Sequence, residues 1–222
     1  MEQAIATKTS KSKANPAKKI KDAYVNHVLE HGARPTSIFK FVKDIKVKEE
    51  LFYDHFNSFE NVEKHIWMDL FDNTVSAIQS DEVYAEYSAR EKMLAFYYTF
   101  IEQLKSNRSY ILQSIPKGKK PDLNPYYLES VKAGYNEWVA EVLLEAKETE
   151  EILNRPIIGD RYGDGLWLQF LFVLGFWVKD DSKSFEKTDA AIEKAVNLSF
   201  DLMGRGPLDA MLDFGKFLFQ NR

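Results

Sequence analysis

The sequence predicts an all-α protein. Apolar residues recur at i, i+3, i+4 spacing in one segment after another, and no run shows the alternation that a half-buried strand requires. Helix punctuation falls between those segments, as at Asn124-Pro125 and Gly204-x-Gly206-Pro207. With 45% hydrophobic and 14% aromatic residues in 222 positions, the chain can bury a sizeable core, which excludes global disorder. It has no cysteine, so a disulfide framework and a thiolate metal site are excluded too.

Residues 1–16 are polar, lysine-bearing and closed by Pro16, and they read as a disordered basic arm. Lys8, Lys11 and Lys13 offer charges to a DNA backbone, although a solvated tail is the simpler reading. A first helix follows to His31, with Ile20, Ala23, Tyr24, Val28 and Leu29 on its apolar face and Gly32 at its end. Thr36 to Asp44 then puts Ile38, Phe41 and Val42 on one side of a short helix. Ile45-Lys46-Val47 interrupts it, and a second short helix turns Val47, Leu51 and Phe52 inward and Lys48, Glu49 and Glu50 outward. Two helices of about two turns, joined by three or four residues, fit a helix-turn-helix. Asn57-Ser58 caps a long fourth helix from Phe59 to about Gln79, with Val62, Ile66, Leu70 and Phe71 buried and Asp72-Asn73 exposed.

Six further helices are expected. The fifth runs from Glu86 to Ser106, and a short sixth carries Tyr110, Ile111, Leu112 and Ile115 before Pro116. Lys117 to Pro121 reads as a basic surface loop without the glycine-lysine pattern of a phosphate cradle. The seventh extends from Tyr126 to about Glu151 on a face of Leu128, Val131, Tyr135, Trp138, Val139, Val142 and Leu143. Arg155 to Asp164 is turn-rich, and its Gly-Asp pairs fit helix capping better than a calcium loop, which would need alternating oxygen ligands and a closing glutamate. The eighth, Gly165 to Lys179, is apolar nearly all round and is therefore expected to be enclosed on several sides. Phe185 to Met203 and Leu208 to Phe219 give the ninth and tenth.

The order of the first four elements, together with Val47 at the turn and the Tyr53-x-x-Phe56 ending, resembles the N-terminal DNA-binding unit of the tetracycline repressor family of bacterial regulators. Ser58, Glu60 and Val62 match the serine, acidic and apolar positions that open that family's fourth helix. The likeness spans roughly residues 18 to 66. It departs from the family at Ile45, where alanine is usual, at Lys46, where glycine is usual, and at Glu49-Glu50, where lysine, glycine or hydroxyl residues are usual.

The resemblance implies a helix-turn-helix DNA-binding domain over residues 17–57 and a helical regulatory and dimerisation domain over 58–222. Thr36, Ser37, Lys46, Lys48, Glu49, Tyr53 and His55 are then the residues facing double-stranded operator DNA. It also implies an apolar effector pocket within helices four to eight, for which Phe96, Tyr97, Tyr135, Trp138, Trp167 and Phe170 are the candidates, and an apolar or aromatic small molecule as the effector. The last helices, with Ala190, Ala191 and Ala195 beside the bulky eighth, resemble the family's homodimer interface.

Charge is distributed accordingly. Residues 1–56 hold 11 Lys and Arg against seven Asp and Glu, while the whole chain carries a net charge of −4. A basic head on an acidic body suits a DNA-binding head. No catalytic site is legible: His27, His31, His55 and His65 all lie in the first third, and His27 and His31, four apart, lack the surrounding carboxylates of a metal motif. No cofactor and no metal are expected. The most apolar run, Leu166 to Val178, is shorter than the roughly 20 residues of a membrane span. The N-terminus has no apolar segment of a secretory signal, so a cytoplasmic protein is expected. Two functions fit: a ligand-responsive transcriptional regulator acting as a homodimer, or a member of the same superfamily that binds a lipid or other apolar small molecule rather than DNA, as its relatives in ubiquinone biosynthesis do. Glu49 and Glu50 favour the second, because carboxylates repel phosphates.

Overall fold

The computed structural model describes residues 15–116, 122–155 and 158–221, with the backbone alone at residues 207, 208, 210, 212 and 213. Among these the chain forms ten α-helices and no strand. The arm expected at residues 1–16, apart from Asn15 and Pro16, and the loop Lys117 to Pro121 lie outside the described residues. The chain divides into two compact units, Met1–Val62 and Glu63–Arg222, with the division inside the fourth helix.

The first unit is built on α1 (Pro16–His31), α2 (Ile38–Asp44), α3 (Glu49–Tyr53) and the start of α4 (Phe59–Gln79). Asn15 caps α1 by accepting from the Ala17 N–H at 3.0 Å, with proline at the first helical position, where no N–H is missed. Gly32 ends α1 in the left-handed conformation, its N–H returned to the Val28 carbonyl at 2.8 Å. Ile20, Tyr24, Val28, Phe41, Val42, Phe52, Phe56 and Val62 form the core. Phe59, in the first turn of α4, stacks on Tyr24 and meets Phe41 and Phe52 edge-on, at centroid distances of 5.5 to 5.9 Å. Leu29, expected on the buried face of α1, is exposed instead, because the partner helices reach only the Ile20–Tyr24–Val28 line.

The second unit comprises the rest of α4 with α5 (Ala89–Ser106), α6 (Arg108–Ser114), α7 (Glu129–Glu148), α8 (Tyr162–Lys179), α9 (Glu186–Met203) and α10 (Pro207–Gln220). Ser88 and Glu91 form a reciprocal capping box that starts α5 three residues later than expected, after a separate 3-10 turn at Tyr84–Glu86. A similar turn at Tyr126–Leu128 precedes α7. Buried Arg155 ties the end of α9 to the start of α10: it donates to the Leu202, Met203 and Gly204 carbonyls, to the Tyr162 hydroxyl, and through Nε and Nη2 to the Asp209 carboxylate at 2.8 and 2.9 Å. The α8–α9 junction turns on Asp180, whose carboxylate accepts from the N–H and hydroxyl of both Ser182 and Thr188.

Helix α8 is not enclosed on all sides. Leu168 and Phe172 are 48% and 51% exposed, so one face of this apolar helix stands partly open among the described residues. Met211, Phe214, Phe217, Leu218 and Phe219 on α10 and Leu198 and Leu202 on α9 are exposed as well. No helix among the described residues is long and apolar enough to cross a membrane.

Candidate DNA-binding unit and candidate ligand site

The junction of α2 and α3 is set by one residue in an unusual conformation. Lys46 has φ of 54°, in the left-handed region that favours glycine. Its N–H bonds the Lys43 carbonyl at 3.2 Å and the next N–H, that of Val47, reaches back to the Val42 carbonyl at 2.9 Å. This paired ending satisfies the last carbonyls of α2 and reverses the chain into α3. The departure noted at Lys46 is therefore one of residue type and not of backbone, since lysine adopts the glycine geometry.

Ser37 caps α2 by accepting from the Lys40 N–H at 3.2 Å, with Thr36 exposed just before it. Lys48 precedes α3 without a side-chain cap, and Glu49 and Glu50 occupy the first turn, where carboxylates complement the helix dipole. Those acids have a local structural reason to be there. Phe52 points inward, while Tyr53 is 53% exposed and His55 stands open beside it. Six of the seven DNA-facing candidates are thus exposed, and Glu49 is half-buried. Sequence reasoning missed Phe39, 64% exposed on α2 with Lys40 and Lys43 also exposed on that helix. Its position one residue off the Ile38–Phe41–Val42 face was the available clue. His27 and His31 stack ring on ring at 4.1 Å, and burial followed by the neighbouring His31 lowers the pKa of His27.

All six ligand-pocket candidates come together, as a filled cluster. Phe96 stacks on Trp138 at 4.7 Å, Phe170 stacks on Trp167 at 5.1 Å, and Tyr135 sits 5.1 Å from Phe170 between them. The Tyr97 and Tyr135 hydroxyls are 3.0 Å apart, and Tyr135 donates onward to the Leu166 carbonyl at 3.2 Å. Burial raises the pKa of both phenols well above the ordinary value. The rings occupy one another's space, as core aromatics do.

The open volume lies beside this cluster. A groove of about 1300 Å³ runs between α6 and α8 and is bordered also by Asp122, Leu123, Pro125, Tyr126 and Tyr127. Leu112, Ile115, Leu123, Leu168, Leu171, Phe172, Leu174 and Val178 line it, with Ser109, Gln113, Asp122, Tyr126 and Lys179 as polar members. Burial, with Asp122 nearby, pushes the Tyr127 phenol on its wall up to about 12. A smaller cavity of about 510 Å³ near the start of α7 is bordered by Trp167, the one member of the aromatic cluster to reach either space among the described residues.

A family model described as the tetracyclin repressor-like C-terminal domain matches residues 92–218, more than half of the chain. Among solved structures, a protein from Syntrophomonas wolfei str. Goettingen, assigned to the TetR family of transcriptional regulators, superposes with a TM-score of 0.63 at 18% identity, over 85% of this chain and 94% of its own. A protein of unknown function from Rhodococcus sp. RHA1 superposes with a TM-score of 0.54 at 11% identity, over 89% of this chain and 100% of its own. No curated protein matches the sequence. The two structures share the fold, and the match across residues 92–218 carries the assignment: the chain belongs to the tetracycline repressor-like family of transcriptional regulators.

Proposed function

We propose that this protein is a homodimeric, ligand-responsive regulator of transcription that acts in the cytoplasm. The α2–Lys46–α3 unit binds operator DNA, and an apolar effector in the helical body shifts the protein between DNA-binding and non-binding populations. The observation that carries this reading is the geometry of the unit: a left-handed Lys46 reverses the chain and leaves Thr36, Ser37, Lys48, Tyr53 and His55 exposed on one small helical pair. Exposed Phe172 on α8 and Leu198 and Leu202 on α9, next to the small Ala191 and Ala195, support a partner copy packed on the C-terminal helices. The proposed activity is binding throughout, with no catalytic step.

The test is binding of the purified protein to its own upstream DNA and to fragmented genomic DNA over a series of salt concentrations. Selective, dimeric binding with a steep salt slope is expected. DNA affinity no better than that of an unrelated acidic protein would sink the reading. Glu49 and Glu50 beside the recognition surface, together with the apolar groove, favour a second reading, a lipid- or apolar-molecule-binding protein that does not engage DNA. Mass spectrometry of the freshly purified protein separates the two when DNA binding is absent, because this second reading requires a stoichiometric apolar molecule to copurify.

A further inference from the structure

His27 and His31 lie four residues apart at the end of α1, inside the first compact unit. Residues at this spacing are neighbours on one face of a helix. Their rings are nearly parallel, 14° apart, with centroids at 4.1 Å. Stacking of this kind brings the ring nitrogens of the two residues close together.

Geometry fixes the tautomer of His31. Its Nδ1 lies 3.0 Å from the His27 carbonyl oxygen, which can only accept, so Nδ1 carries the hydrogen. The neutral ring then keeps its lone pair at Nε2, on a residue that is exposed. A histidine that ligates a metal is held in the same way, with its other nitrogen donating to a carbonyl or carboxylate. His27 is half-buried and meets the Phe41 ring edge-on at 6.4 Å, and no side-chain hydrogen bond engages its ring among the described residues.

The surroundings suit a cation. His31 is the last residue of α1, where the helix dipole is negative. The charges of Glu30 and Asp44 act on His27 in the same sense, and that of Lys40 opposes them. Asp44 comes from α2, so the fold supplies a carboxylate that the local sequence pattern lacks. It does not join the pair as a third ligand: among the described residues no group of three His, Cys, Asp or Glu is placed to hold a metal.

We propose that His27 and His31 form a two-histidine binding site for a divalent transition-metal ion, with water completing its coordination. Cu²⁺ and Ni²⁺ bind there more tightly than Co²⁺, following the general order for nitrogen ligands. The ion bridges successive turns of α1 and braces the end of that helix beside Phe41 of α2. The site goes beyond the regulator reading and does not rest on it, because it needs neither DNA nor an effector.

The experiment titrates the full chain with NiCl₂ by calorimetry and with CuCl₂ under electron paramagnetic resonance. One Ni²⁺ per chain is expected, together with two nitrogens coupled to Cu²⁺. His31→Gln, at an exposed position that the fold tolerates, weakens Ni²⁺ binding by about tenfold or more. His27→Gln does the same, and His55→Gln, outside the pair, leaves binding unchanged. Saturating Ni²⁺ raises the unfolding temperature of the parent, as any ligand of the folded state does, but not that of His31→Gln. The proposal is overturned if Ni²⁺ does not bind saturably, if both variants of the pair bind as the parent does, or if one ion is shared by two chains. A single nitrogen coupled to Cu²⁺ overturns it as well, since one histidine alone is then the ligand. Presence or absence of DNA binding changes none of these outcomes, so this site and the regulator reading stand or fall separately.

Discussion

The hydroxyl of Tyr126 donates to the buried carboxylate of Glu63 at 2.5 Å, which ties the 3-10 turn before α7 to the second turn of α4. Lys64 pairs with Glu129, the first residue of α7, so α4 is held both to the turn and to the helix that follows it. Tyr126 also borders the groove, and Glu63 is the first residue of the body unit. Tyr126→Phe removes a donor from the buried Glu63 carboxylate and is expected to destabilise the protein by about 1–3 kcal/mol. Urea unfolding of parent and variant checks this; an unchanged midpoint would mean that the Tyr126–Glu63 bond does not hold α4 in place.

Lys46 bears a conformational cost that glycine would not. The left-handed region costs an L-residue about 1 to 2 kcal/mol, offset in part by the extra freedom glycine has when unfolded. Lys46→Gly is expected to stabilise the protein by about 0.5–1 kcal/mol in urea unfolding, and Lys46→Val to destabilise it. If Lys46→Gly were destabilising, the turn geometry described here would be wrong.

Helix α3 opens on opposing charges, Lys48 before it and Glu49 and Glu50 in its first turn. Under the proposed DNA contact, Glu49→Gln is expected to raise DNA affinity, because it removes a carboxylate that would repel phosphates, at a small cost of about 0.3–1 kcal/mol in α3 stability from the lost helix-dipole interaction. Lys48→Ala should lower affinity for every sequence alike and reduce the slope of log K against log salt by about 1. A Glu49→Gln variant that binds more weakly instead would indicate that the carboxylate reads a base, as a glutamate can at cytosine N4.

Tyr97 and Tyr135 form a chain with a direction. Tyr135 donates to the Leu166 carbonyl, so Tyr97 donates to Tyr135. Tyr97→Phe removes one hydrogen bond and leaves Tyr135 satisfied, costing about 1 kcal/mol; Tyr135→Phe strands the buried Tyr97 hydroxyl and is expected to cost about 1–3 kcal/mol. Equilibrium denaturation of the two variants tests that order, and a larger loss in Tyr97→Phe would reverse the assigned direction.

Asp180 sets an acid limit. Burial opposes its ionisation, but the hydrogen bonds from Ser182 and Thr188 outweigh that and hold its carboxyl well below the usual range. A carboxylate whose folded pKa is depressed contributes stability above its unfolded pKa of about 4 and loses it as pH falls toward the folded value. Asp180→Asn should therefore lower the unfolding temperature at pH 7, by somewhat less at pH 3, and by progressively less as the pH falls further toward the folded value. An equal loss at every pH would place the role of Asp180 in packing rather than charge.

Much of this molecule was written in local pattern. The period of Ile20–Tyr24–Val28, the Ser37 hydroxyl before Ile38, and the pair of glycines beside Pro207 each act within a few residues, so the sequence alone determined an all-helical chain with a helix-turn-helix near its start. Tertiary structure decided what local pattern does not encode. Apolar periodicity marks a face as apolar but not as covered, and so Leu168 and Phe172 on α8 and the exposed residues of α10 were indistinguishable from core. The same limit applies to the aromatic residues: Phe96, Tyr135 and Phe170 could be recognised as inward-facing, but whether they wall a cavity or fill one depends on how three separate helices meet. Arg155 and Glu63 carried no sequence signal, because their partners lie 54 and 63 residues away and only folding brings them within bonding distance.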